Sequence, residues 1–204
     1  MAKNTLDEIL ERLHTLQAEL EEEIERLYNE KRQVFRYTLE QGKVRFEKGV
    51  RLLQRHQKIA LWIYIARAPI RHILSAPIIY SLILPLLLLD IMVTGYQHIC
   101  FRLYDIPLIK RHDYFVIDRQ HLAYLNILEK LNCVFCGYAN GLIEYTREIA
   151  ARTEQYWCPI KHARRSPDPH QRLEHFSDYG DAEVYHQHLL KLRKELRDSQ
   201  SHIK

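Results

Sequence analysis

Residues 73–94, ILSAPIIYSLILPLLLLDIMVT, form an apolar run of 22 residues that carries one charge, Asp90. As a helix the run reaches about 33 Å, enough for the roughly 30 Å hydrocarbon core of a bilayer. A chain of 204 residues would struggle to surround so long an apolar cylinder on every side, so membrane insertion is preferred over a buried core helix. Pro77 and Pro85 can kink the run. A carboxylate facing lipid at a helix centre costs about 2.5–3.5 kcal/mol, so Asp90 is expected near the interface or paired.

Two topologies satisfy this run: one crossing, or a re-entrant hairpin bent at Pro85. Both flanks are basic, with Arg51, Arg55, Lys58, Arg67 and Arg71 before the run and Arg102, Lys110 and Arg111 after it. The N-terminal sequence MAKNTLDEILERL is charged and amphipathic and has no apolar signal-peptide core. The expected location is an inner membrane, with the N-terminus and the cysteine-containing segment on the cytoplasmic side. A simple crossing would instead export the cysteines into an oxidising space.

The net charge of +4 is unevenly spread: residues 31–72 hold eleven Lys or Arg against two Glu, whereas residues 7–30 are rich in Glu. Residues 43–72 interleave those basic groups with Phe46, Leu52, Ile59, Trp62 and Ile65, a composition expected of an interfacial helix on anionic headgroups. Nucleic acid is the competing partner for a basic stretch. No zinc-finger or RNA-binding signature lies there, so membrane lipids are the expected partner and nucleic acid is not.

The first segment opens on a capping-box pattern, Thr5 and Glu8, and then repeats Leu6, Leu13, Leu20, Leu27 and Val34 at intervals of seven. Leu10 and Ile24 supply part of the second seam position, which Gln17 and Lys31 interrupt. A coiled coil follows from this pattern, formed with a second copy or with another protein, in preference to a helix packed on its own domain.

Four potential soft ligands follow the apolar run: Cys133 and Cys136 in NCVFCGYANG, then Cys158 and His162 in YWCPIKHA. Zinc favours tetrahedral thiolate and imidazole ligands, and CxxC in a tight turn can supply two thiolates to one ion, so these four residues read as a Cys3His structural zinc site. Iron or an iron–sulfur centre is the alternative for the same thiolates, and a dithiol–disulfide couple at Cys133 and Cys136 is a third. A helix over residues 142–155, after a turn at Asn140 and Gly141, would separate the ligand pairs by about 20 Å. Closure then requires that helix to end near Ala150 or the pairs to meet across a dimer. Glu144, Glu148 and Glu154 read as ion-pair partners of Arg147, Arg152 and Lys161 in the absence of a Glu-x-x-His motif. No phosphate-binding glycine loop or GxSxG elbow is present, so catalysis has no positive support.

The stretch NCVFCGYANGLIEYTREIAARTEQYWCPIKHA, preceded by HDYFVIDRQHLAYLN, resembles a group of uncharacterised bacterial proteins in which a hydrophobic segment precedes this cysteine motif. The resemblance covers about the second half of the chain. It implies association with an inner membrane and transfers no catalytic residue.

The expected fold is mostly α. A coiled-coil-like helix spans residues 5–42, a basic interfacial helix 43–72, and a membrane helix or hairpin 73–101. A small helical Cys/His module then covers 102–180 and a C-terminal amphipathic helix 181–200, with Asp181 as its N-cap. Within the module, DYFVID reads as a short strand and RQHLAYLNILEKL as a helix. The functional expectation is a membrane-anchored interaction or scaffold protein with a structural metal; the alternative is a redox component at the membrane.

Overall fold

The structure, a computed structural model, describes residues 2–40, 43–164 and 166–198, without the side chains of residues 2–8, 10, 40 and 43. It is mostly helical and divides into two compact units, Met1–Ile63 with Asp118–Ile127, and Tyr64–Ile117 with Leu128–Lys204.

In the first unit, helix α1 spans Ala2–Val34. The backbone is helical through Thr5, which therefore lies inside the helix and not at its cap; the side chains of the Thr5–Glu8 box lie outside the described residues. Leu13, Leu20, Ile24, Leu27 and Val34 are all exposed, so within the first unit the described residues leave this part of the heptad seam uncovered. The helix stops where Arg36 adopts a left-handed φ of 49°, the conformation that ends many helices. An antiparallel hairpin then follows, β1 (Tyr37–Glu40) pairing with β2 (Lys43–Phe46) in the register Tyr37 to Phe46. It replaces the expected continuation of the coiled coil to residue 42. Aromatic and β-branched side chains favour the pleated ladder, and the Tyr37 and Phe46 rings sit 5.6 Å apart. The expected single basic helix over 43–72 is likewise divided into β2 and two short helices, α2 (Lys48–His56) and α3 (Leu61–Ala66). An apolar hollow of about 540 Å³ lies between the hairpin, α2 and residues 118–124.

The second unit is organised on one long apolar helix, Ile70–Phe101, of 32 residues, whose most apolar 18-residue window has a mean hydropathy of 2.2; it is long and apolar enough to cross a membrane. Its parts are α4 (Ile70–Ser81), α5 (Ile83–Tyr96) and a π-helical turn at Gln97–Phe101. The chain does not reverse at Pro85, so the hairpin alternative is not formed. Pro85 sits in the first turn of α5, where a missing N–H is tolerated, and the interruption is confined to Leu82, itself helical at φ −61°, ψ −15°. The second dominant element is α6 (Ile127–Trp157), a continuous 31-residue helix. It begins after Asn126 and ends two residues before Pro159, which cannot continue a helix. RQHLAYLN therefore precedes the helix, and Asn140 and Gly141 lie within it instead of forming a turn.

The expected strand at DYFVID is not formed: Asp113 ends a 3-10 turn, residues 115–118 are irregular, and the segment crosses α6. A β-carbon on Gly141 would fall 2.8 Å from the Tyr114 carbonyl oxygen, and one on Gly137 3.2 Å from that of Val116. Two glycines four residues apart thus open a groove on α6 for the incoming backbone. Phe101, Ile106, Ile109, Leu142, Tyr145 and Ile149 form the core between the C-terminal half of the apolar helix, residues 102–117 and α6. Helix α7 (Tyr185–Asp198) begins later than expected, with Asp181 accepting from the Val184 N–H at 3.4 Å before the first turn. It docks on the end of α6 through the buried Leu192 and Leu196.

Candidate functional site

The continuity of α6 decides where the proposed metal ligands lie. Cys133 and Cys136, three residues apart, sit in its N-terminal part, Cys133 half-buried and Cys136 exposed. Cys158 follows its last residue, and His162 lies in the segment beyond, which is tied to Ser177 by the Lys161 N–H at 2.8 Å. Cys158 stands 22 positions after Cys136, which corresponds to about 33 Å of helix at 1.5 Å per residue. The helix break near Ala150 that would close a four-ligand site is absent: residues 142–157 remain helical. Cys133 and Cys136 therefore do not meet Cys158 and His162 within one chain. Among the described residues, no group of three or more His, Cys, Asp or Glu is arranged to hold a metal ion.

A polar seam joins the apolar helix to the elements packed along it. Asp90 receives both guanidinium arms of Arg111: Nη1 donates to Oδ1 and Nη2 to Oδ2, the latter at 2.9 Å. Tyr138 donates to the same Oδ2 at 2.9 Å and Thr94 to Oδ1 at 3.1 Å. Arg111 also lies over the Phe115 ring, 4.3 Å from its centroid. The expected pairing of Asp90 is thus met by three donors. Its hydrogen bond to Asp90 holds the Arg111 guanidinium above its ordinary value, against the effect of burial. Burial, followed by the hydrogen bond to Asp90, pushes the Tyr138 phenol up to about 12. A phenol that stays protonated near neutrality serves as a fixed hydrogen-bond donor, not as an acid–base group.

The seam continues in both directions. Tyr80 donates to Asn132 Oδ1, and its ring meets Phe135 edge-on at 6.1 Å. Beyond Asp90, the buried Gln97 donates from Nε2 to the Ile109 carbonyl at 3.2 Å and to Tyr145 Oη at 2.6 Å. Its Oε1 accepts from the Ile109 N–H at 3.0 Å. The π-helical turn that begins at Gln97 sets this amide and Phe101 into the core together.

A second polar cluster crosses the C-terminal half of α6. Glu148 Oε1 accepts from Arg152 Nε at 2.8 Å and from Arg172 Nη2 at 2.8 Å, while Arg172 Nη1 donates to Gln155 at 2.7 Å. Burial opposes the charge on Glu148, but the hydrogen bonds from Arg172 and then Arg152 outweigh it and hold the carboxyl below its ordinary range. Glu154 lies 2.9 Å from His170 Nε2, and Lys161 pairs with Asp178 at 2.8 Å instead of with a helix carboxylate. A cleft of about 300 Å³ opens beside this cluster, lined by Tyr114, Glu144, Arg147, Glu148, Asp168 and His170. Glu144 and Glu148 thus pair with Arg147 and Arg152, as their spacing predicts, whereas Glu154 meets His170 and not a neighbouring cation of the expected set. The participation of Arg172 and His170, from a loop some twenty residues away, has no periodic signal in the sequence. No protein family, curated protein or solved structure matches this chain.

Proposed function

We propose that the protein is a membrane-anchored interaction module, held on a bilayer by the helix Ile70–Phe101 and paired with a second copy of itself through α1. The observation that carries this reading is the unbroken exposed apolar face of that helix: Ile70, Leu74, Ile78, Leu84, Leu88, Ile91 and Met92 are each at least 62% exposed. A contiguous apolar surface of this length marks a lipid or protein contact. The seam of α1 supports the second half of the reading, with Leu13, Leu20 and Leu27 free to insert between matching side chains of a partner helix. Lys31 on that seam would lie beside Glu30 of the second chain in a parallel pair, which favours that orientation. The basic flanks favour the cytoplasmic face of an inner membrane.

Flotation of the full-length chain with phospholipid vesicles tests the anchor; a protein that stays at the bottom of the gradient defeats it. Crosslinking in the membrane tests the pairing: Leu20→Glu with Leu27→Glu should abolish a crosslinked dimer without releasing the chain from vesicles. A dimer unaffected by both changes would remove α1 from that role.

A further inference from the structure

Two faces of the helix Ile70–Phe101 behave differently. Ala76, Tyr80, Ile83, Leu86, Asp90, Val93 and Thr94 are partly buried and Gln97 and Phe101 are fully so, at spacings of three and four residues. The opposite face presents exposed apolar residues from Ile70 through Leu74, Ile78, Leu84, Leu88 and Met92 to Ile99, at intervals of four, six or seven residues, about one or two turns. A helix crossing a bilayer alone would have lipid all round it. This helix is instead built lengthwise onto its own unit along one stripe.

The helix meets the rest of its unit along its length, Tyr80 and Asp90 from that stripe and Tyr96 from a position one turn after Met92. Tyr80 reaches Asn132, Asp90 reaches Tyr138 and Arg111, and Tyr96 reaches Thr153 at 3.1 Å, so α6 runs beside the apolar helix in the same direction. If the midpoint of residues 73–94 lay at the bilayer centre, Tyr80 would be about 5 Å to one side and Asp90 about 10 Å to the other. Both lie within the roughly 15 Å half-thickness of the hydrocarbon. A crossing would therefore draw the first half of α6 into the membrane, together with Arg111 and with Glu129 and Lys130, which stand within one turn of Asn132.

We infer that Ile70–Phe101 lies in the plane of the membrane, its exposed face sunk into one leaflet and its opposite stripe carrying the folded unit. The occupant of the exposed face is the phospholipid of that leaflet. Arg67, Arg71 and His72 at one end and Arg102 and Lys110 at the other are exposed where anionic headgroups would meet them. The placement keeps both flanks and all four cysteines on one side of the membrane with no bend at Pro85. It rests on the membrane-anchored reading above and specifies the geometry of the anchor.

The test uses the full chain with its four cysteines changed to Ser and single nitroxide labels at Leu74→Cys, Leu84→Cys, Leu88→Cys and Met92→Cys, bound to vesicles of mixed zwitterionic and anionic phospholipid. Flotation is read first, then label depth from collision with oxygen and with a water-soluble relaxant. Four labels at one shallow depth are the expected result. Flotation with Leu84 deepest and Leu74 and Met92 toward opposite headgroup layers overturns the in-plane placement and leaves the anchor standing. Flotation with all four labels open to the aqueous relaxant overturns it as well, since lipid then contacts another surface. Failure to float overturns anchor and placement together.

Discussion

Gly141→Ala isolates the contact on which the second unit is assembled. In the middle of a helix, alanine is favoured over glycine by about 1 kcal/mol, so an unconstrained site would be stabilised. At Gly141 the added carbon would stand 2.8 Å from the Tyr114 carbonyl oxygen and 3.1 Å from Phe115 Cα, and neither backbone atom can rotate away. Overpacking of this kind costs about 1–3 kcal/mol, and immovable neighbours place it at the upper end. The expected net effect is a loss of about 2 kcal/mol. At Gly137 the nearest atom is 3.2 Å away, so the two effects should nearly cancel. At Gly95, with nothing within 4 Å, only the helical gain remains. The order is read from denaturant midpoints in detergent, with Trp62→Phe in the background so that Trp157 reports the end of α6. Trp157 lies edge-on to Tyr104 at 5.2 Å and is well placed to sense loss of that packing. If Gly141→Ala raised the midpoint as Gly95→Ala does, residues 114–117 would not lie in the groove, and the account of this unit would fail.

Three further outcomes follow from the polar clusters and the cysteines. Arg111→Met removes both guanidinium bonds to a carboxylate that is 14% exposed; at about 1.5–3 kcal/mol for a hydrogen bond to a charged group, and with Arg111 itself 41% exposed, the expected loss lies at the lower end of that range. Arg111→Lys should recover only part of it because one ammonium cannot bridge both oxygens, and a neutral Arg111→Met would refute the seam. The folded Glu148 carboxyl titrates below its unfolded value of 4.5, so its contribution is complete above about pH 4.5 and is lost as pH falls through the folded value. Glu148→Gln should therefore flatten the acid limb of a stability–pH curve, and an unchanged limb would show that the Arg152 and Arg172 bonds do not stabilise the charge. Monomeric chain in detergent should bind zinc substoichiometrically, with Cys133→Ser and Cys158→Ser without effect on each other's residual metal; one tightly held tetrahedral zinc per monomer would mean that α6 breaks.

What the sequence made legible depends on whether the governing interaction was local. The apolar run, the helical periodicity of α1 and the ion-pairing of Glu148 with Arg152 are signals read within one element, and the long apolar helix, the helix α1 and that ion pair appear in the structure. Asp90 announced that it needed a partner, but its choice of Arg111 over the adjacent Lys110 depends on a chain path 21 residues long and a guanidinium seated over Phe115. The misread elements share one cause, a residue type that serves two physical ends. Asn140 and Gly141 carry turn chemistry, yet glycine also serves where two backbones must approach, and the second use prevailed because Tyr114 and Phe115 arrive there. CxxC spacing suits a metal turn, and it equally places two thiols one turn apart on a helix; with α6 continuous, no third ligand joins them among the described residues of one chain. The apolar run obeys the same logic. Length and hydropathy permit a crossing, but they are averages over a cylinder, and the stripe from Ala76 to Phe101 makes this helix two-faced. Periodicity within an apolar segment is weak because both faces are hydrophobic; here only the polar residues Tyr80, Asp90, Thr94 and Gln97, spaced at ten, four and three, mark the side that protein covers.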